Sequence, residues 1–162
     1  FPVGLSSCDG SDSAAVIFGG TTGKLTWTLT EDGVLTITGE GPMPDYRDGG
    51  TSETPPWYPH VNRISSLTIG EGVTRIGDYA FMLCSFVTKV VIPESVTSMG
   101  DWAFKGYLDM AVVTCLAVIP PELGKDNFGL PAKILYVPAG SVEVYRKNAV
   151  WREAFETIAA LP

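Results

Sequence analysis

A pattern of apolar and polar positions occurs twice along this chain, with the second copy 23 residues after the first. The copies read LTIGEGVTRIGDYAF at 67–81 and VVIPESVTSMGDWAF at 90–104. Most identities fall on apolar residues and glycines, which are the positions that must fit when one unit stacks on the next. A period in the twenties matches one coil of a solenoid, in which each coil buries its open side against its neighbours. We therefore predict a stack of short coils.

Each copy predicts the same series of local elements. Leu67 and Ile69 alternate with polar residues, which indicates a short strand with its apolar face inward. Gly77 is expected to permit a bend after the chain re-enters the core. Asp78 is a good helix N-cap residue, so DYAF is predicted to form a short helical turn in which Phe81 fills the centre of the coil.

Two weaker copies follow the doubled pattern. Val113 and Cys115 lie one period after the strand residues of the second copy and predict a third strand. Phe128 follows as the next aromatic residue of the core. A fourth strand is expected in AKILYVP, with Leu135 and Val137 pointing inward.

The segment before the repeats predicts a β-hairpin and a covering loop. In KLTWTLTEDGVLTITG, at 24–39, apolar residues alternate with threonines on both sides of an Asp-Gly pair, which is a strong hairpin signal. Residues 40–62 contain five prolines and three glycines, so a loop is expected there. Its large side chains are predicted to pack down on the core: Met43, Tyr46, Trp57 and Tyr58.

The C-terminal segment predicts helical structure that closes the stack. Ser141 is positioned to cap a helix through SVEVYRKN. Trp151, Phe155 and Ile158 then recur at a helical spacing, which predicts an amphipathic helix with a buried stripe. The expected organisation is thus a tail or tether at 1–20, a hairpin cap with its loop at 21–62, repeats at 63–138 and a helical cap at 139–162.

Charge and side-chain inventory exclude several functions. Eleven basic and 18 acidic residues give a net charge of −7, which offers no basic surface for nucleic acid. No run of about 18 apolar residues could form a membrane-spanning helix. Three cysteines and one histidine cannot plausibly supply a zinc site, and no metal or other cofactor is expected. Cys84 and Cys115 are interpreted as buried core residues, with a disulfide between them as the alternative.

Cys8 suggests a lipid anchor. Leu5-Ser6-Ser7-Cys8 is similar to a bacterial lipobox, in which a cysteine behind small residues is lipidated and becomes the mature N-terminus. The acidic, Gly- and Ser-rich residues that follow would then form a tether. The alternative is an ordinary linker that contains a cysteine.

These motifs resemble the BspA-like leucine-rich repeat family of bacterial surface proteins. The resemblance rests on LTIGEGVTRIGDYAFMLC and VVIPESVTSMGDWAF, on VTCLAVIPPELGKDNF and LYVPAGSVEVYRKNAVW as closing segments, and on TTGKLTWTLTEDGVLTITGEGPMPDY with PPWY as an opening cap. It implies an α/β solenoid: a short right-handed stack of leucine-rich coils with one sheet, an N-terminal β-hairpin cap and a C-terminal helical cap. It also implies export to the cell surface and adhesion or binding of host or matrix molecules. With the Cys8 motif, we expect a surface protein that is lipid-anchored to the outer membrane, or a secreted one.

Strand alternation places a candidate binding face on the outside of the sheet. If the strands stack in register, two outward residues per strand line this face: Ser66, Thr68, Lys89, Val91, Val112, Thr114, Ile134 and Tyr136. The apolar members would form an exposed strip, of a kind that often marks a contact site for a protein or glycan partner. The alternatives are that another segment covers the strip or that these residues serve only strand formation.

Two other classes of function compete with protein binding. Trp57, Tyr58 and Trp102 could stack on sugars in a carbohydrate-binding module. An enzyme using paired carboxylates is the less favoured alternative, because the pairs Glu71/Glu94 and Asp78/Asp101 recur as part of the repeat, at turn and cap positions. His60 lacks a nucleophile motif, and no G-x-S-x-G, HExxH or Walker sequence is present. We therefore predict a non-enzymatic protein with no catalytic residues.

Overall fold

The computed structural model describes residues 14–47, 53–105, 112–128 and 132–162. It contains twelve strands and two α-helices in the described part of the chain. The strands are β1 Val16–Thr22, β2 Leu25–Thr30, β3 Val34–Thr38, β4 Gly41–Pro42, β5 Ser66–Ile69, β6 Val73–Ile76, β7 Lys89–Ile92, β8 Ser98–Met99, β9 Val112–Cys115, β10 Glu122–Leu123, β11 Ala132–Val137 and β12 Phe155–Ala160. The helices are α1 Val142–Lys147 and α2 Ala149–Ala154, with 3-10 helices at Tyr58–Arg63 and Ala139–Ser141.

The strands form two sheets rather than the single sheet that the family resemblance implies. The long sheet has the order β1-β2-β3-β5-β7-β9-β11-β12, and the short sheet has the order β10-β8-β6-β4. Each coil contributes one strand to each sheet, and neighbouring coils pair in parallel. Leu67 pairs with Val90, and Ile76 pairs with Met99, so the pairing partners are 23 residues apart. The 23-residue period predicted from the sequence therefore sets the register in which the strands of both sheets pair.

The third side of each coil is a turn, and the predicted helical turn is wrong. Tyr79 and Trp102 both have positive φ angles, of 59° and 61°, which a helix does not allow. The backbone N–H of Tyr79 donates to the carbonyl of Asp101 in the next coil, at 3.0 Å, and that of Phe81 donates to Ala103 at 2.7 Å. Hydrogen bonds between coils therefore alternate with local bonds of the turn, such as that from the N–H of Ala80 to the carbonyl of Gly77, at 3.3 Å.

The Asp78 side chain also acts between coils instead of capping its own turn. Its Oδ1 accepts a hydrogen bond from the backbone N–H of Asp101, at 2.8 Å. Asp101 in turn accepts from the N–H of Lys125, at 2.7 Å, and Asp45 accepts from the N–H of Asp78, at 3.0 Å. We call Asp45, Asp78 and Asp101 the aspartate ladder. It joins four successive turns of the chain along one edge of the stack.

The core is a column of aromatic rings surrounded by aliphatic side chains. Trp57 stacks on Phe81, Phe81 on Phe104 and Phe104 on Phe128, with ring centroids 5.4, 5.4 and 5.1 Å apart. The predicted inward strand residues, Leu67, Ile69, Val113, Cys115, Leu135 and Val137, are all buried. The position of Phe81 at the centre of its coil is confirmed.

The N-terminal segment extends the long sheet. The predicted hairpin is present as β2 and β3, which pair antiparallel, and β3 continues into the repeats by pairing in parallel with β5. A further strand, β1, lies antiparallel to β2 and begins at Val16, inside the segment predicted as a tail. In the covering loop, Met43, Tyr46 and Trp57 are buried as predicted.

The C-terminal helix prediction is wrong beyond Ala154. Trp151 lies on α2, but Phe155 and Ile158 lie on β12, which pairs in parallel with β11. All three side chains are buried, so their interpretation as core residues is correct. Pairing with the open edge of β11 provides a hydrogen-bond ladder that prevails over the helical spacing of the apolar residues.

Two further features differ from expectation. Ser141 stands at the N-cap position of α1, but its hydroxyl donates to the carbonyl of Val118, at 2.8 Å, and makes no cap hydrogen bond. The fold is also mainly β-structure, because each of the two α-helices has only six residues. Within the described ranges, none of the helices has the length and apolar character needed to cross a bilayer.

Candidate binding face

The predicted outward residues lie in two rows across the long sheet. Pairing between β5, β7, β9 and β11 aligns them in the predicted register. The first row is Ser66, Lys89, Val112 and Ile134, and the second row is Thr68, Val91, Thr114 and Tyr136. Alternation thus placed all eight residues on one face.

This face is less exposed than its apolar content suggested. Lys89 is exposed, whereas the other seven residues are half-buried. Val91, Val112, Ile134 and Tyr136 are therefore not an open apolar strip. They still present their outer surfaces beside hydroxyl groups of serine and threonine.

Both rows continue onto strands that the sequence interpretation left out. Val34 and Thr36 on β3 pair with Ser66 and Thr68, while Thr157 and Ala159 on β12 pair with Ile134 and Tyr136. We call the resulting two rows of six the outer face. The alternating threonines of the hairpin carried the signal for β3, but the helical spacing of the last segment concealed β12.

Lys89 is the one charged side chain among the twelve residues of the outer face. It takes part in none of the salt bridges found in the described part of the chain. By contrast, Arg75 pairs with Asp45 and Asp78, each at 3.1 Å. The outer face is thus nearly neutral and locally basic on a protein whose net charge is −7.

The candidate carboxylate pairs are occupied by backbone hydrogen bonds. Glu71 accepts from the N–H groups of Glu94 and Ser95, both at 3.2 Å, and Asp78 accepts from that of Asp101. These contacts join equivalent positions of successive coils, as the repeat predicts. Over the described ranges, no group of three or more His, Cys, Asp or Glu side chains is arranged to hold a metal ion.

The aromatic candidates for sugar stacking are already packed. Trp57 is fully buried and its Nε1–H donates to the carbonyl of Ala80, at 2.8 Å, so its assignment as a surface platform is wrong. Trp102 is half-buried, stacks on Tyr79 and has the Lys105 Nζ 3.4 Å from its ring centroid. Tyr58 is half-buried in the 3-10 helix.

His60 packs against aromatic rings. Its ring stacks on Phe18, with centroids 3.7 Å apart, and lies 6.4 Å from the ring of Trp27. Partial burial, and secondarily the charge of Arg63, lower the pKa of His60 from its usual value. These contacts hold β1 against the covering loop.

The cysteine predictions have different outcomes. Cys84 and Cys115 are both fully buried and are not joined to each other by a disulfide, in agreement with the interpretation as core residues. The Cys115 sulfur lies 3.3 Å from the hydroxyl of Tyr145, and burial raises the pKa of its thiol. Cys8 lies outside the described residues.

Comparison with known proteins agrees with this architecture. Residues 58–118 match the family model described as "BspA type Leucine rich repeat region (6 copies)". A leucine-rich repeat protein from Eubacterium ventriosum has a similar structure, with 25% sequence identity and a TM-score of 0.51 over 80% of this chain and 46% of that one. No curated protein matches the sequence.

A leucine rich cell surface protein from Faecalibacterium prausnitzii is similar at 18% identity, with a TM-score of 0.43 over 91% of this chain and 44% of that one. The chain thus spans somewhat less than half the length of each of these two proteins. The matched segment coincides with the coils that carry the 23-residue period. The resemblance to the BspA-type leucine-rich repeat family is therefore confirmed over residues 58–118.

Proposed function

We propose that this chain is a non-enzymatic, exported binding module that presents the outer face to a protein partner. The observation that carries the proposal is the composition of this face: twelve registered residues on six strands, with one charge and otherwise hydroxyl, aliphatic and tyrosine side chains. The central parts of protein interfaces are depleted of charged residues and rich in apolar and tyrosine side chains in the same way.

Variation between the coils supports a role for this face in recognition. The identities between the first two copies fall on packing positions such as Ile69/Ile92 and Phe81/Phe104. The outward positions differ, with Ser66 replaced by Lys89 one coil later. Stacking therefore constrains the inside of each strand, and the outside is free to fit a partner.

The engagement of the carboxylates supports a non-enzymatic role. General acid–base chemistry by two carboxylates requires side chains that converge on a substrate. Glu71, Asp78 and Asp101 instead accept hydrogen bonds from the backbone of the next coil. Their recurrence in the sequence is thus explained by the stack.

Binding by this face is tested with two substitutions in its second row. Val91→Asp and Tyr136→Asp place charges on neighbouring parts of the outer face, and Thr74→Asp, at an exposed position of the short sheet, is the matched control. The three variants and the native chain are applied to a panel of purified matrix proteins and to a glycan array. Binding to a matrix protein that is lost only in the two outer-face variants supports the proposal.

If Thr74→Asp also loses binding, or if all variants retain it, the result contradicts a specific role for this face. Binding to glycans alone, insensitive to the outer-face variants, would support a carbohydrate-binding module instead. Each variant must first show the far-ultraviolet circular dichroism and melting transition of the native chain, so that loss of binding is not loss of folding.

The proposal includes attachment to the cell surface. Its support is the family resemblance and the lipobox-like Leu5-Ser6-Ser7-Cys8. A diacyl or triacyl adduct on Cys8, as the first residue of the protein isolated from its native cells, is the expected result of mass spectrometry. An unmodified Cys8 still preceded by Phe1 would contradict lipid anchoring and leave secretion as the route to the outside.

A further inference from the structure

We propose that the partner docks on the outer face with an acidic protein segment, in which an Asp or Glu carboxylate pairs with Lys89 and neighbouring apolar side chains cover Val91 and Val112. This inference rests on the proposed function, because it assigns the chemistry of the partner of the same face. It starts from the position of the one cation on that face.

Among the described residues, the strand neighbours of Lys89 provide no carboxylate. Its neighbours in the first row are Ser66 on β5 and Val112 on β9, and the outward residue two positions along its own strand is Val91. None of the twelve residues of the outer face is acidic. In the described part of the chain, three arginines have carboxylate partners, as Arg146 has in Glu143 at 3.2 Å, whereas the lysines form no salt bridge.

A partner that covers this face would remove water from Lys89. A buried ammonium group without a counter-ion is strongly unfavourable, so a tight complex must provide an anion at this place. The aliphatic neighbours Val91 and Val112 lower the local dielectric constant once the partner excludes water, which strengthens the ion pair. A single carboxylate within an otherwise apolar segment meets both requirements.

The overall charge restricts the partner further. A net charge of −7 repels a densely acidic ligand at long range, whereas one or two carboxylates directed at Lys89 gain a local contact. Acidic sugars fit the face less well, because its twelve residues include no Asn, Asp, Gln or Glu to bind ring hydroxyls. The side chains next to Lys89, Val91 and Val112, offer aliphatic contacts, and Tyr136 is the one aromatic residue of the face.

The test uses a library of short random peptides displayed on phage and selected on the immobilised chain. We expect selected peptides to share an Asp or Glu beside apolar residues. Their affinity should fall about tenfold in Lys89→Ala and further in Lys89→Glu, and it should stay unchanged in Lys147→Ala, an exposed lysine on α1. Replacing the acidic residue of a peptide by its amide should cause the same loss, with no additional loss in Lys89→Ala, because both changes remove one contact.

The other outcomes separate this inference from the proposed function. Selected peptides whose binding is lost in Val91→Asp and Tyr136→Asp bind through the outer face. If such peptides share no acidic residue and bind Lys89→Ala as tightly as the native chain, the acidic partner is wrong but the proposed function stands. If the affinity of the peptides is unchanged in all four outer-face variants, or if no peptide is enriched, the result counts against the proposed function as well. If the binding of acidic glycans depends on Lys89 and the binding of peptides does not, the proposed class of partner is wrong.

Discussion

The Asp78 carboxylate accepts a hydrogen bond from the backbone N–H of Asp101, its counterpart one coil later, at 2.8 Å. The side chain of each aspartate thus binds the backbone on which the next aspartate stands. This relationship explains why the residue is repeated at a surface position where packing does not require it. It also makes the ladder a direct target for experiments on stability.

Asp101→Ala should destabilise the stack, because the N–H of Lys125 loses its acceptor at 2.7 Å. We expect a loss of about 1 kcal/mol in the free energy of unfolding, the usual size for a partly exposed hydrogen bond to a charged group. Asp101→Asn keeps an oxygen acceptor and should lose less. Urea denaturation followed by circular dichroism measures both, and equal losses in the two variants would contradict the role of the acceptor oxygen.

Phe104→Ala should be among the most damaging single changes, because Phe104 lies between Phe81 and Phe128 in the aromatic column. Truncation of a fully buried phenylalanine costs about 3–5 kcal/mol, through lost contacts and the cavity left behind. Phe86 is 58% exposed and serves as the control, for which a change within about 0.5 kcal/mol is expected. Similar losses from both substitutions, measured by denaturant unfolding, would rule out the column as a main source of stability.

Gly100→Ala tests the close contact between coils. A Cβ atom at Gly100 would lie 2.5 Å from the backbone nitrogen of Asp78 and would also meet that residue's carboxylate. The coils must separate to admit it, so we expect a loss of more than about 2 kcal/mol in the free energy of unfolding. At Gly140 a Cβ meets nothing within 4 Å, and Gly140→Ala should change stability little. A native-like melting temperature for Gly100→Ala would contradict the tight approach.

Stability should decrease in strongly alkaline solution. Burial raises the pKa of Tyr46 from 10 to about 12 in the folded chain, although its hydrogen bond with Thr22 acts in the opposite direction. The unfolded chain therefore releases the phenolic proton first, and the free energy of unfolding falls as the pH rises from about 10 to 12, by up to about 1.4 kcal/mol per pH unit from this group. Burial raises the pKa of Tyr145 as well, so ionisation of this tyrosine in the unfolded chain further lowers the free energy of unfolding.

Tyr46→Phe separates the contribution of this tyrosine. The variant should be less steeply destabilised between pH 10 and 12 than the native chain, and the two should show parallel dependence near neutral pH. Denaturant unfolding at several pH values gives the slopes directly. Identical slopes across the alkaline range would falsify the assignment to Tyr46.

Cys84 and Cys115 should resist alkylation in the folded chain. Both side chains are fully buried, and burial raises the pKa of the Cys115 thiol, so its reactive thiolate form is scarce. Iodoacetamide at neutral pH followed by mass spectrometry should modify both residues in denaturant and neither in its absence. Rapid modification of Cys115 under native conditions would show that the end of the stack opens readily.

The sequence was sufficient to predict the repeated strands because their apolar alternation has a local cause. Leu67, Ile69 and their counterparts must face the core in any coil, so their spacing determines register as well as strand position. The two outward rows followed from the same alternation. For the outward rows this reasoning was applied from β5 to β11 and not to β3, so Val34 and Thr36 were left out. It stopped at the segment with a helical spacing, so Thr157 and Ala159 were missed as well.

The features that were not predicted depend on contacts between distant residues. Asp78 has the local signature of a helix N-cap, yet its acceptor oxygen serves a backbone group 23 residues further along. Phe155 and Ile158 have a helical spacing, yet the open edge of β11 takes them into a strand. In both cases pairing between coils prevails over local preference, and only the fixed period of Asp78 and Asp101 offered a hint.

The aspartate ladder and the aromatic column have a consequence for how such a molecule can change in size. Both join a residue to its counterpart one coil later, so an inserted copy of 23 residues would supply its own rung, its own ring and one more pair of strands. Each duplication would lengthen the outer face by about 4.8 Å, the spacing of neighbouring strands, and leave the number of ends at two. The repeat is thus a structural unit of fixed length, and gene duplication can set the length of the outer face without redesign of its ends.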